Sequence, residues 1–214
     1  LEEIAEVVRD FPEIVWCVDG VSSAGGMKIE VDRLGIDILL TSTHKALALP
    51  PGMAVCTMSQ KAYDRTAEVD HRGVYFDLRA IYDRIAKKNY QYPSTPNVSL
   101  MYAMDKQLDH ILAEGLDARF ARHQAMADRC RAWAKEHFDL FPEEGYMANT
   151  LTVILNTRGI SVADLNKALG ERGKTMSNGY GDLKEKTFRI AHLGEVTMDD
   201  LNALLADIED ILGL

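Results

Sequence analysis

The stretch Ile36-Asp37-Ile38-Leu39-Leu40-Thr41-Ser42-Thr43-His44-Lys45 decides the reading of this chain. A short apolar, β-rich run, Ile36 to Leu40, gives way to four polar side chains and then a lysine. Continuous apolar runs of this kind suit strands buried on both faces of a covered sheet. Ile14 to Val18, ending in Asp19-Gly20, and Met53 to Met58 have the same character. The first two runs end in polar clusters. In open α/β sheets, clusters at strand ends are the usual place for ligands. The pattern therefore predicts an α/β fold whose polar strand ends, carrying Asp19 and Lys45, are candidate ligand positions.

Outward from this centre, Leu1, Ile4, Ala5 and Val8 recur at helical spacing, and Pro12 closes that helix. Residues 70–97 read as irregular and aromatic-rich, ending in Tyr92-Pro93-Ser94-Thr95-Pro96-Asn97. From Ser99 the helical pattern returns, with Leu100, Met104, Leu108, Ile111 and Leu112 expected on one face. Gly115 interrupts it, and Leu116 to Phe138 continues with Phe120, Ala127 and Trp133. This helical stretch is expected to bridge two lobes. Beyond it, Leu151 to Leu155 and Phe188 to His192 are strand candidates. Ser161 and Asp164 mark a helix start before Leu165 and Leu169, with Gly173 past its end. Thr197 and Asp200 cap a final amphipathic helix through Leu201, Leu204, Leu205, Ile208 and Ile211. The expected divisions are 1–97, a connecting helical segment 98–140, and a small α+β domain 141–214.

The 214 residues are 47% apolar and 27% charged, which is ordinary globular composition. Twenty-four basic residues against 33 acidic ones give a net charge of −9. That balance argues against a general nucleic-acid binder, since nothing in it attracts a phosphate backbone at long range. No apolar run approaches the roughly 18 residues a membrane helix needs. Cys17 and Cys56 lie in apolar runs expected to be buried, and Cys130 lies in a helical one. Three cysteines without paired spacing predict neither a disulfide framework nor a zinc site, and fit a reducing, cytoplasmic setting. His71, His110, His123 and His137 show no metal-ligand grouping, so no metal is expected. The chain opens at Leu1 without Met or a signal peptide, and reads as a fragment.

Lys45 follows the polar cluster at a strand end, where a lysine has no packing purpose. Desolvation there would favour the free amine, the form that attacks carbonyls. The wider pattern is more specific. Val18-Asp19-Gly20-Val21-Ser22-Ser23, Gly25-Gly26, Asp32-Arg33-Leu34-Gly35-Ile36-Asp37, Thr41-Ser42-Thr43-His44-Lys45-Ala46-Leu47, Pro51-Gly52, then Tyr92…Thr95-Pro96 and Phe188-Arg189-Ile190 follow one another along the chain. Together they resemble the class V aminotransferases, fold-type I enzymes that use pyridoxal 5′-phosphate (PLP). Within that class the chain looks most like the alanine–glyoxylate and serine–pyruvate aminotransferase group.

The resemblance implies the end of a PLP-binding large domain, with a mostly parallel sheet and covering helices, followed by a small α+β domain. It implies that Lys45 forms the Schiff base with PLP and then moves protons at the reacting carbon. Asp19 would keep the pyridine nitrogen protonated, so that the ring can draw electrons. His44, where close relatives often carry Gln, would donate to the cofactor phosphate, with Ser42 or Thr43 as further contacts. Tyr92 and Thr95 match positions that reach the partner's cofactor across a homodimer. Arg189 matches the clamp for the substrate carboxylate, a task suited to a planar fork of donors. The phosphate loop and the ring-stacking aromatic would lie in a segment preceding Leu1.

The implied function is transamination between a small amino acid, alanine or serine, and a 2-oxo acid, glyoxylate or pyruvate. Three alternatives stand beside it. One is a lyase of the cysteine-desulfurase type, for which no cysteine is well placed. One is kynureninase-like hydrolysis. The last is a truncated, non-catalytic dimerisation module. Two other features read blandly: Asn178-Gly179-Tyr180-Gly181 as a hairpin turn, and Asp199-Asp200 as a helix start.

Overall fold

The computed structural model describes residues 1–87 and 91–214. The chain divides into two compact units. The first comprises Leu1–Val21, Ile29–His44 and Leu49–Leu108, and the second Ser22–Lys28, Lys45–Ala48 and Asp109–Leu214.

The first unit is built on three strands, β1 (Cys17–Asp19), β2 (Ile38–Ser42) and β3 (Ala54–Met58), in that order. β1 and β2 run parallel, with Asp19 opposite Leu40, and β3 pairs antiparallel to β2. Helix α1 (Glu2–Val8) buries Ala5 against Leu34 and Ile36, and α2 (Val31–Leu34) ends at Gly35 in the left-handed region. A buried carboxylate fixes the entry to the sheet. Asp37 accepts from the Trp16 amide at 2.9 Å and from the Ser59 hydroxyl at 2.6 Å, and pairs with Lys61 at 2.8 Å. Burial works to raise its pKa, but the bonds from Lys61, Ser59 and Trp16 win and hold it below the usual carboxylate value. Ser59 also caps α3 (Gln60–Arg65), accepting from the Ala62 amide.

Three expectations need correction here. The strands are not buried on both faces: four of the five β3 residues are exposed, as are Cys17 and Leu40. Cys17 and Cys56 are therefore exposed thiols, while Cys130 is buried as expected. An apolar run signals a strand, but it does not say what covers each face. Nor is the stretch 70–97 wholly irregular. Asp77 caps α4 (Leu78–Ala86), accepting from the Ala80 amide at 3.1 Å. That Asx cap opens a nine-residue amphipathic helix beyond the apolar run Val74-Tyr75-Phe76, where the sequence reads as irregular. Residues 88–90 of the same stretch lie outside the described residues.

Helix α5 (Val98–Glu114) begins at Asn97, whose side chain accepts from the Leu100 amide. Its first eleven residues belong to the first unit and the rest to the second. Leu100, Met104 and Ile111 are buried, but Leu108 and Leu112 are exposed. The expected five-residue face was too broad, because Leu108 and Leu112 lie on the flank of the helix. Gly115, at φ 86°, breaks the helix before α6 (Leu116–His137).

The second unit packs α6, α7 (Val162–Glu171) and α8 (Met198–Leu212) on a four-stranded antiparallel sheet. The sheet order is β4 (Asp139–Leu140), β5 (Leu151–Leu155), β7 (Thr187–Ala191), β6 (Ser177–Asn178). Trp133, Cys130, Ile154, Leu169, Phe188, Ile190, Leu205 and Ile208 form its core. Ser161 caps α7 through the Asp164 amide, and Thr197 with Asp200 forms the capping box of α8. Alternation along β7 sends Phe188 and Ile190 into the core and leaves Arg189 half-buried on the other face. β6 and β7 form a hairpin, but its connection holds a short 3₁₀ turn, Gly181–Leu183, and is no tight turn. Among the described residues no helix is long and apolar enough to cross a membrane.

Candidate functional site

In the first unit the parallel pairing brings the ends of β1 and β2 side by side. Asp19 closes β1 and Ser42 closes β2, two residues beyond the register partner of Asp19. Asp19 is exposed, and its Oδ1 accepts from the Val21 amide at 2.9 Å. That turn fixes the carboxylate and leaves Oδ2 for a cation or an N–H donor. Ser42 Oγ and Thr41 Oγ1 are buried and have no hydrogen-bond partner among the described residues. An orphaned buried hydroxyl costs about 1–3 kcal/mol, and its usual remedy is a ligand or water. Thr43 is spent differently: its hydroxyl contacts the carbonyls of Pro50 at 2.8 Å and Met53 at 3.1 Å. It braces the turn and has no proton left for a phosphate. His44 is exposed.

Tyr92 and Thr95 lie elsewhere in this unit, both exposed, on an open groove of about 1050 Å³ shared with Ile85, Val98, Met101 and Tyr102.

Lys45 opens the second of the three chain segments that make up the second unit. Lys45 is half-buried, and its side chain forms no hydrogen bond or ion pair among the described residues. Its backbone, in contrast, is held firmly. The Ala48 amide donates to the Lys45 carbonyl at 2.8 Å, closing a turn with Ala48 at φ 56°. Arg119, fully buried on α6, donates from Nη2 to the Ala46 carbonyl at 2.7 Å and from Nε to the Gly25 carbonyl at 3.0 Å. Its charge is balanced by Glu114 at 2.7 Å and Glu195 at 3.1 Å. Gly194 packs on the same turn: a Cβ there would lie 3.0 Å from Ala48 Cβ and 3.3 Å from the Lys45 carbonyl. The Gly194 amide donates to His123 Nε2 at 3.1 Å, and His123 Nδ1 donates to the Arg119 carbonyl at 2.8 Å. Both ring nitrogens are thus used by a neutral imidazole, and burial lowers the His123 pKa.

Arg189 has no carboxylate partner among the described residues. Its Nε donates to the Asn178 carbonyl at 3.3 Å, and its guanidinium lies 3.9 Å from the centre of the Tyr180 ring. Arg189, with Lys45 adding to the effect, lowers the Tyr180 phenol below its ordinary value.

From the sequence Arg119 receives no role, and His123 reads only as one of four histidines without metal-ligand grouping. A signal existed: they sit four residues apart, on the α6 face that also carries Met126, Cys130 and Trp133. A guanidinium on an apolar face demands buried partners.

Among the described residues, the first unit offers an available carboxylate and two orphaned hydroxyls, and the second a lysine amine and a guanidinium without a carboxylate partner; each set is of the kind that serves polar ligands. Residues 1–182 match the family model for aminotransferase class V. The chain belongs to the class V aminotransferases. Members of this family are PLP-dependent. The chain is 36% identical over 212 residues to an uncharacterized aminotransferase of Methanocaldococcus jannaschii, covering 98% of this chain and 54% of that one. It is 32% identical over 200 residues to the serine–glyoxylate aminotransferase of Arabidopsis thaliana, covering 91% and 49%. The crystal structure of an alanine–glyoxylate aminotransferase from Nostoc sp. superimposes with a TM-score of 0.90 at 26% identity, covering 99% of this chain and 57% of that one. This class V chain thus spans about half the length of the curated relatives it matches. Its α/β fold is that of PLP transferases.

The residues present fit the cofactor. The unpartnered Ser42 hydroxyl can serve a phosphate, and the open Asp19 oxygen can serve a pyridinium. Lys45 offers an amine with no acidic partner among the described residues.

Proposed function

We propose that this class V chain carries residues for transamination of a small amino acid, alanine or serine, with glyoxylate or pyruvate as acceptor. The observation that carries the reading is the free Lys45 side chain on a backbone turn locked by Arg119 and Gly194. PLP, when bound, supplies an electron sink for the substrate carbanion. The chain's own residues do the rest. Lys45 supplies the amine that holds the cofactor and carries a proton to and from the substrate α-carbon. Asp19 keeps the ring nitrogen protonated. Ser42 and His44 donate to the phosphate. Arg189 receives the substrate carboxylate on its unpaired guanidinium.

The protein is proposed to act as a homodimer in which Tyr92 and Thr95 serve the neighbouring subunit. The support is that both are exposed on an open groove of mixed character, beside the exposed Val98, Met101 and Tyr102 of α5 and with Asp105 in its lining. Exposed large apolar side chains grouped in this way suit a protein partner. The proposed setting is cytoplasmic, in keeping with two exposed cysteines that are unpaired.

The test uses the full-length enzyme. Asp19→Asn should retain the fold, hold PLP more weakly, and lose several powers of ten in the proton-transfer step, because an amide cannot hold the ring protonated. Near-normal turnover would remove Asp19 from the mechanism. Mixing Lys45→Ala with Thr95→Ala subunits should restore some activity through hybrid sites. No recovery under demonstrated subunit exchange would count against sharing.

A further inference from the structure

We propose that Tyr180 is a specificity-determining residue that presents the Arg189 guanidinium to the carboxylate end of the substrate. The inference rests on the reading of Arg189 as the carboxylate anchor.

Tyr180 is 76% exposed, so it contributes little to the core. Yet its position is tightly built. The Gly179 amide donates to the Thr187 carbonyl at 2.9 Å and contacts the Asn178 side chain at 2.8 Å. The Glu185 amide donates to Asn178 Oδ1 at 2.9 Å, bracing the far end of the loop. A Cβ at Gly179 would run into the Leu183 carbonyl and the Thr187 hydroxyl, so the backbone packs too closely there for a side chain. An exposed aromatic on a cross-braced connection, stacked on an arginine with no acidic partner among the described residues, has no evident folding role.

The chemistry follows from the donors. A guanidinium has five N–H groups in one plane. The ring covers one face of Arg189, and Asn178 takes Nε–H. Only the two terminal nitrogens remain for a ligand. A carboxylate must then meet them end-on, in the plane that the stacked ring fixes. Tyr180 thereby restricts rotation of the guanidinium before substrate arrives, which lowers the ordering cost of binding.

The experiment compares Tyr180→Leu, Tyr180→Phe and Arg189→Ala in the full-length enzyme, using the amino acid and its decarboxylated amine. Losing a cation–π stack is expected to raise KM for the amino acid about 2- to 30-fold in Tyr180→Leu. The change in kcat should be much smaller, and the amine should be unaffected. Tyr180→Phe keeps the ring face and should stay near wild type. An equal loss toward the amine, a fall in kcat at constant KM, or a Tyr180→Leu enzyme matching wild type would overturn the proposal. Arg189→Ala reports on the underlying reading: if it loses activity equally toward acid and amine, Arg189 is not the anchor, and the role of Tyr180 falls with it.

Discussion

Arg119 Nη2 donates to the carbonyl of Ala46 at 2.7 Å, across 73 residues of sequence and one residue from Lys45. The same side chain also binds the Gly25 carbonyl and contacts the Gly194 carbonyl. One buried guanidinium thus ties three chain segments to α6, and Lys45 is carried on one of them.

Arg119→Ala should destabilise the second unit by about 3–5 kcal/mol, because it strands the Ala46 and Gly25 carbonyls and frees a partly buried Glu114. Denaturant unfolding followed by the fluorescence of Trp133 measures this. Amide exchange at Ala48, whose N–H closes the Lys45 turn, should accelerate in the same variant. A loss under about 1 kcal/mol would mean that water replaces the guanidinium without cost.

Gly26 is required by close approach. An added Cβ would collide with Thr150 Cγ2 and sit 3.1 Å from His123 Cδ2. Gly26→Ala should therefore cost about 1–3 kcal/mol, as overpacking does. Thr150→Ser removes the offending methyl and keeps the hydroxyl that bonds the Ser22 carbonyl. The double variant should recover part of the loss. A double-mutant cycle with no coupling would place the strain elsewhere.

Much of this architecture was legible in the sequence because the signals were local. The caps Ser161 and Thr197, the strand Leu151–Leu155 and the break at Gly115 all depend on neighbouring residues. Asp19 and Ser42 could be put at strand ends for the same reason. The contacts around Lys45 could not. Arg119 meets Ala46, and His123 meets Gly194, through pairings over 70 residues long. The burial of Cys17 and Cys56 was misjudged because covering a sheet face is also a long-range matter.

His192 gives the second unit a defined pH response. It is buried, with Nε2 2.8 Å from Thr152 Oγ1, and burial pushes its pKa down to about 4. The unfolded chain binds this proton near pH 6.5, before the folded state does. The stability that neutral His192 permits is therefore fully present above about pH 6.5, and is lost as pH falls toward about 4. The full loss is roughly 3 kcal/mol. His192→Gln should flatten the stability–pH curve across that window relative to wild type. Parallel curves for the two proteins would show that His192 protonates equally in both states.

The central claim is that Lys45 holds the cofactor, and the most direct measurement is borohydride reduction of the PLP-loaded full-length enzyme followed by peptide mapping. The account predicts a reduced pyridoxyl label on Lys45, absent from Lys45→Ala. Label on Lys28 or Lys61 in place of Lys45 would contradict it.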